Sequence, residues 1–161
     1  RLVPGRREGR AATVRVSLAG PAVLSLAEVE VFVAGHNVAP TGQASQSHSD
    51  PLGEAHRAND GKINGSFKNG SVTRSLQKGS DPWWKMDLAF PAAVERVVVW
   101  NRWDGEVLAQ RLSGAKVEVF DVGGTLLWEG TVPAPAPKSI VFDVGLVDLE
   151  GLKPESNDFI R

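Results

Sequence analysis

Two arginines and an aspartate are the residues of this chain whose spacing suggests recognition chemistry. Arg102, Asp104 and Arg111 follow an apolar run, Val97-Val98-Val99-Trp100, which breaks into Asn101-Arg102-Trp103-Asp104-Gly105. A continuous apolar run that ends in a polar loop reads as a buried strand delivering side chains to a rim. Guanidinium forks gathered there offer paired N–H donors, which suit adjacent hydroxyls and suit carboxylates or sulfates better still. A plain surface ion pair between Asp104 and one arginine satisfies the same pattern and is worth little. Trp103, inside the motif, either stacks on the apolar face of a ring ligand or packs on its own sheet.

Catalytic constellations are not apparent. His36, His48 and His56 share no metal-ligand spacing, and no Ser/His/Asp order or phosphate-cradling glycine loop stands out. No pair of carboxylates can be singled out for glycoside hydrolysis. A free-standing enzyme is therefore not expected.

The elements that must position these residues are strands. The 161 residues suffice for one domain with a core, and 42% hydrophobic with 23% charged residues is ordinary for a globular domain. The net charge of -1 gives no reason to expect nucleic-acid binding, and no apolar run reaches membrane-span length. The absence of cysteine excludes disulfides and thiolate metal sites. Seventeen glycines and ten prolines without long helical periods favour short strands and turns.

Residues 1–12 read as a flexible leader, 13–144 as a single domain and 145–161 as a linker. Thr13 to Leu18 alternates as a half-buried strand, and Leu24 to Val33 reads as its hairpin partner. The phase of that second strand flips at Ala27-Glu28, which predicts a β-bulge that re-aims Glu28. A short extended piece is expected over Gln43 to Ser47. Residues 53–80 lack periodicity, which in a compact domain signals function or an unusual tether. Asp60-Gly61 and Asn64-Gly65 mark tight turns there. Trp84, Met86 and Leu88 share one face of a strand opened by Pro82. An alternating pattern resumes at Leu112, Gly123-Gly124 marks a hairpin, and Ser139 to Val144 is the last visible strand. About eight such strands predict an antiparallel β-sandwich.

Several segments together resemble the F-type (fucose-binding) lectins and the wider discoidin, or coagulation factor V/VIII type C, superfamily. They are Asn37-Val38-Ala39 with Ala44-Ser45-Gln46-Ser47, Ala58-Asn59-Asp60-Gly61, Gly70-Ser71-Val72-Thr73, Asp81 to Leu88, and Asn101-Arg102-Trp103-Asp104 through Arg111-Leu112-Ser113-Gly114. The resemblance implies a discoidin-like jelly-roll sandwich with sugar-binding loops at one end. In that family a strand like Leu24 to Val31 closes the domain, whereas here it comes early. We read a rotated chain order in which the N-terminal hairpin fills the slot of the usual last hairpin. The other reading makes residues 1–33 the tail of a preceding domain.

The resemblance further implies a structural Ca²⁺. Asp60 and Glu28 would supply carboxylate oxygens, Ser71 hydroxyl and carbonyl oxygens, and Arg57, Lys62 and Ala27 backbone carbonyls. An all-oxygen donor set on an irregular loop suits that ion; the plain alternative is an Asx-turn at Asp60 and a solvated Glu28. For the sugar site it implies Arg102 and Arg111 as ligand-binding arginines with Asp104 as buttress. Arg111 lies two residues beyond the usual spacing, and Arg74 stands where the family has His. The ligand class is then fucose-like or an acidic or sulfated sugar. Glu106 and Gln110 are expected at the same rim. The implied role is a non-catalytic, calcium-stabilised glycan-binding module of a larger extracellular or periplasmic protein. The alternative is a protein-interaction or structural domain with a degenerate sugar site. A weaker third reading is a membrane-surface binder with Trp103, Leu108 and Phe67 as apolar spikes.

Overall fold

Alternation along residues 11–17 requires a strand with one face in a core, and that strand lies at the centre of a sheet. The computed structural model describes residues 6–76 and 79–149. In chain order the strands are β1 (Arg7–Glu8), β2 (Ala11–Ser17), β3 (Leu26–Val33), β4 (His36–Asn37), β5 (Gln43–Gln46), β6 (Trp83–Ala92), β7 (Arg96–Asn101), β8 (Lys116–Phe120), β9 (Leu126–Thr131), β10 (Ser139–Asp143) and β11 (Leu146–Val147). A single short helix, α1 (Glu106–Ala109), and four 3₁₀ turns complete the described elements. One antiparallel sheet has the order β5-β6-β2-β8-β9 and the other β10-β7-β3-β4; β1 and β11 form a separate parallel pair.

Facing rows of apolar side chains join the sheets. In the first, Val14 lies opposite Met86 and Val119, and Val16 opposite Trp84 and Val117. In the second, Val29 lies opposite Val99, and Val31 opposite Val97. All ten are fully buried in one core cluster. Each such side chain contributes about 2 kcal/mol on removal from water. The result is the expected discoidin-like β-sandwich, with eight strands of four residues or more among the described residues.

Three details differ from expectation. First, β2 and β3 do not pair as a hairpin. The chain crosses between the sheets at residues 18–25, so β2 inserts between β6 and β8 while β3 sits between β7 and β4. The N-terminal segment does complete the sandwich, as one strand in each layer. Second, the expected leader and linker meet: β1 pairs with β11, and Ala11 is fully buried. The short runs escaped notice because a two-residue strand carries no period. Residues 1–5 and 150–161 of those two segments lie outside the described chain. Third, the pattern resuming at Leu112 does not begin a strand; residues 106–112 wind as helical turns, and β8 starts at Lys116.

The bulge at Glu28 is present, as a register slip between Leu26 and Glu28 against β7. Residues 73–75 hold the segment just ahead of it. Leu24 N–H donates to Ser75 Oγ (2.8 Å) and Leu26 N–H to Thr73 Oγ1 (2.9 Å). In return Thr73 and Ser75 N–H donate to the carbonyls of Leu26 and Leu24. The start of β3 is thus held by this loop and the remainder by β7.

Candidate functional site

Arg74, Arg102 and Arg111 converge on one pocket at the end of β7. It has a volume of about 410 Å³ and is lined by Asp50, Arg74, Ser75, Leu76, Arg102, Leu108 and Arg111. Arg102 is only 7% exposed, and its Nε donates to Asp104 Oδ1 at 2.7 Å. Asp104 Oδ2 accepts the Phe67 N–H at 2.9 Å, so the carboxylate ties the 66–69 turn to the arginine. Burial pushes the Asp104 carboxyl up, but the Arg102 bond, the Phe67 N–H and the Arg102 charge outweigh it and hold it below the usual range. The Phe67 ring lies beneath the guanidinium groups of Arg74 (4.1 Å) and Arg102 (4.9 Å).

Arg74 is fixed from the opposite side. Its Nε and one terminal nitrogen each donate to Asp50 Oδ2 at 2.8 Å. The Leu52 N–H, with help from Arg74, keeps the Asp50 carboxyl below its ordinary value. Gly53 accepts the Arg74 N–H, and a Cβ there would stand 2.4 Å from that nitrogen. Only glycine permits so close an approach. Arg111 differs from the other two. Among the described residues it has no acceptor, and burial together with the charges of Arg102 and Arg74 lowers its proton affinity. The extra residues of its loop are absorbed by α1 and the following 3₁₀ turn. Asn101, buried, donates from Nδ2 to the carbonyls of Ala109 (2.9 Å) and Pro137 (3.2 Å) and so anchors that helical insert.

Trp103 is placed elsewhere. Its ring does not line the arginine pocket but stands between two neighbouring cavities, one with Gly105, Glu106, Ala109 and Gln110 and one with Ile63 to Ser66, Trp100 and Lys138. Glu106 and Gln110 accordingly miss the arginine rim, because positions one helical turn apart share the far face of α1. Phe67 is not a spike, since it is half-buried under the arginines. Asp50 and Leu76 have no local signal in the sequence, since a single carboxylate or apolar residue in a polar loop is not distinguished there; Leu108, read as an apolar spike, is half-buried and lines the arginine pocket.

Glu28 and Asp60 come together on the other side of the 53–71 loop. Glu28 is fully buried, and its Oε2 accepts the Gly61 N–H at 2.7 Å. Its Oε1 is buried without a partner. Burial, opposed by the Gly61 bond and reinforced by the nearby Asp60 carboxylate, pushes Glu28 up to about 8. Asp60 Oδ1 accepts the Lys62 N–H (2.9 Å) within its turn, and Ser71 Oγ donates to the Asn64 carbonyl (2.7 Å) and so closes residues 64–71 into a loop.

The family model described as NedA-like, galactose-binding domain, of F5/F8 type C, matches residues 57–134. A Streptococcus pneumoniae fucose-binding module is 34% identical and superposes with a TM-score of 0.61, covering 70% of this chain and 78% of that one. The chain belongs to the F-type lectin and discoidin (F5/F8 type C) family. Within that family, the lectin domain of lectinolysin, solved with Lewis B antigen, is 28% identical with a TM-score of 0.63, again covering 70% of this chain and 78% of that one. Fucolectin-4 of Anguilla japonica is 34% identical over 86 residues, which are 50% of this chain and 46% of that protein. Fucolectin of Anguilla anguilla is 34% identical over 88 residues, 52% of this chain and 54% of that protein. This F-type lectin-like chain thus spans about half the length of the curated relatives it matches.

For this family member the implied cation can be tested against the donors present. Among the described residues no group of three or more His, Cys, Asp or Glu lies together. An ion would therefore rest on two carboxylates plus hydroxyl and carbonyl oxygens, a hard set suited to Ca²⁺. The unpartnered Oε1 of Glu28 beside Asp60 is the kind of buried acceptor that such an ion satisfies, so the residues fit.

Proposed function

We propose that this domain is a non-catalytic glycan-binding module that holds a terminal saccharide in the pocket of Arg74, Arg102 and Arg111. The observation that carries the reading is the state of the three arginines. Arg74 and Arg102 are clamped by Asp50 and Asp104, whereas Arg111 has no acceptor among the described residues. Two oriented forks suit vicinal hydroxyls, and the uncompensated third favours a sulfate or carboxylate on the same sugar. The ligand class is thus a fucose-like or acidic, especially sulfated, sugar. In this reading Asp104 and Asp50 are positioning residues.

Glu28, Asp60 and Ser71, with the carbonyls of Ala27, Arg57 and Lys62, would hold calcium, which would neutralise the two carboxylates and so stabilise the loop. The domain acts as a targeting module of a larger extracellular protein. A glycan array with added calcium tests the reading: signal confined to fucosylated, sulfated or acidic glycans and lost in Arg111→Ala supports it. Flat signal across neutral and acidic glycans favours a protein-interaction domain.

A second reading has one specific observation behind it. Leu76 (46% exposed) lines the cationic pocket, and Leu52 (62%) and Val107 (81%), chain neighbours of other residues of this site, are exposed too, as on a surface that dips into lipid headgroups. Liposome sedimentation with anionic vesicles separates the two, since a sugar-specific pocket leaves the protein in the supernatant.

A further inference from the structure

Trp103 carries a property that the arginine pocket does not use. Its backbone is fixed: the Trp103 N–H donates to the Gly65 carbonyl at 2.8 Å, and a Cβ on Gly65 would stand 2.8 Å from Trp103 Cβ. Its side chain nonetheless remains 45% exposed. A large indole is ordinarily buried or used. Among the described residues its N–H has no acceptor. The cavity between this ring and α1 has a volume of about 430 Å³ and is lined by Gly105, Glu106, Ala109 and Gln110.

The helix wall gives this cavity its relation to the arginine site. Glu106, Ala109 and Gln110 face the Trp103 cavity, whereas Leu108 and Arg111 face the arginine pocket. The two cavities thus lie on either side of a single helical turn. Trp103 is also the chain neighbour of Arg102 and Asp104, so both sites are referenced to one loop. Among the described residues the exposed Glu106 carboxylate has no partner and accepts freely. Gln110, in contrast, exchanges bonds with Ala136 and serves as wall.

We propose that the Trp103 cavity is a second saccharide subsite, which takes a further sugar unit of the glycan whose terminal unit lies in the arginine pocket. The indole covers the apolar face of a pyranose, and its N–H and the Glu106 carboxylate engage hydroxyls. The ligand class is a neutral unit, since a carboxylate or sulfate would meet Glu106. The inference rests on the arginine pocket holding the terminal sugar.

Titration calorimetry on the full chain with calcium tests it, using methyl fucoside and Lewis b oligosaccharide, and sulfated galactose and a sulfated Lewis trisaccharide. In each pair that binds, Trp103→Ala should leave the monosaccharide affinity within about twofold and weaken the oligosaccharide about tenfold, the size of one aromatic contact. Trp103→Phe should recover part of the loss, and Glu106→Gln should weaken the oligosaccharide alone. Oligosaccharide affinity unchanged in Trp103→Ala overturns the subsite while leaving the arginine pocket standing. So does an equal loss for both lengths with an unchanged melting curve. If the wild type binds none of the four sugars, or Arg111→Ala binds them unimpaired, the arginine-pocket reading falls and this one with it.

Discussion

Replacing Glu28 by Gln in calcium-free buffer should stabilise the domain, against the usual expectation for a buried polar site. Glu28 is fully buried, gives one oxygen to the Gly61 N–H, leaves the other unpartnered and faces Asp60. These surroundings raise its carboxyl from 4.5 to about 8. An unfolded chain ionises Glu28 near 4.5, while the folded chain holds the proton. Folding stability is therefore greatest below the unfolded value, and it is lost as pH rises toward 8. At pH 7 the loss is about 3 kcal/mol at 1.36 kcal/mol for each pH unit, roughly 10 °C in melting temperature for a domain of this size. Gln has the same shape, accepts the same N–H and offers Asp60 a donor, with no proton to lose. Melting curves in chelator from pH 5 to 8 should show the wild type falling relative to Glu28→Gln. Calcium added at pH 7.5 should raise the wild type and leave the variant unmoved. A difference between the two proteins that stays constant across this pH range would refute the reasoning about the buried carboxyl. A calcium response of equal size in both would remove Glu28 from the ion site.

Arg111→Ala should abolish glycan-array signal with little change in melting temperature, since no bond within the described chain is lost. Arg102→Ala should also abolish binding, but at a cost of about 2 kcal/mol measured by urea unfolding, because its 2.7 Å bond to Asp104 and its contact with Phe67 disappear. Gly53→Ala should shift the Arg74 backbone, 2.4 Å from the added carbon, and weaken sugar binding in calorimetry more than Leu52→Ala does. Extraction of calcium with chelator at pH 7.5 should speed proteolysis within residues 53–71 and leave the sheets protected in hydrogen exchange.

The architecture was legible where side chains repeat. Val14 and Val16, and Trp84 and Met86, declared their faces by period, Val97 to Val99 declared a buried strand by their continuous apolar run, and the phase slip at Glu28 announced the bulge. What escaped was long-range or too short. The pairing of β1 with β11 joins residues far apart in sequence through two-residue strands. The crossing between β2 and β3 turns on Gly20-Pro21, which marks a bend but not the layer to which it leads. The structure gathers Arg74, Arg102 and Arg111 at one pocket; Arg102 was legible from its place at the end of an apolar run, whereas Arg111 departs from the family's spacing and Arg74 from its residue type. Trp103, the chain neighbour of Arg102, lines other cavities, because adjacent residues leaving a strand point to different sides. Asp50 was invisible for a different reason. Its partner Arg74 is brought to it by the fold, and a carboxylate in a polar loop has no local signature until its counter-ion arrives.

The β1–β11 pair has a mechanical consequence. Residues 7 and 146 lie side by side, so a host polypeptide could receive this sandwich in a surface loop without being pried apart. The pair is parallel, so the chain would enter at one end of this two-residue seam and leave at the other, and a host would meet the domain as a short splice in its own backbone.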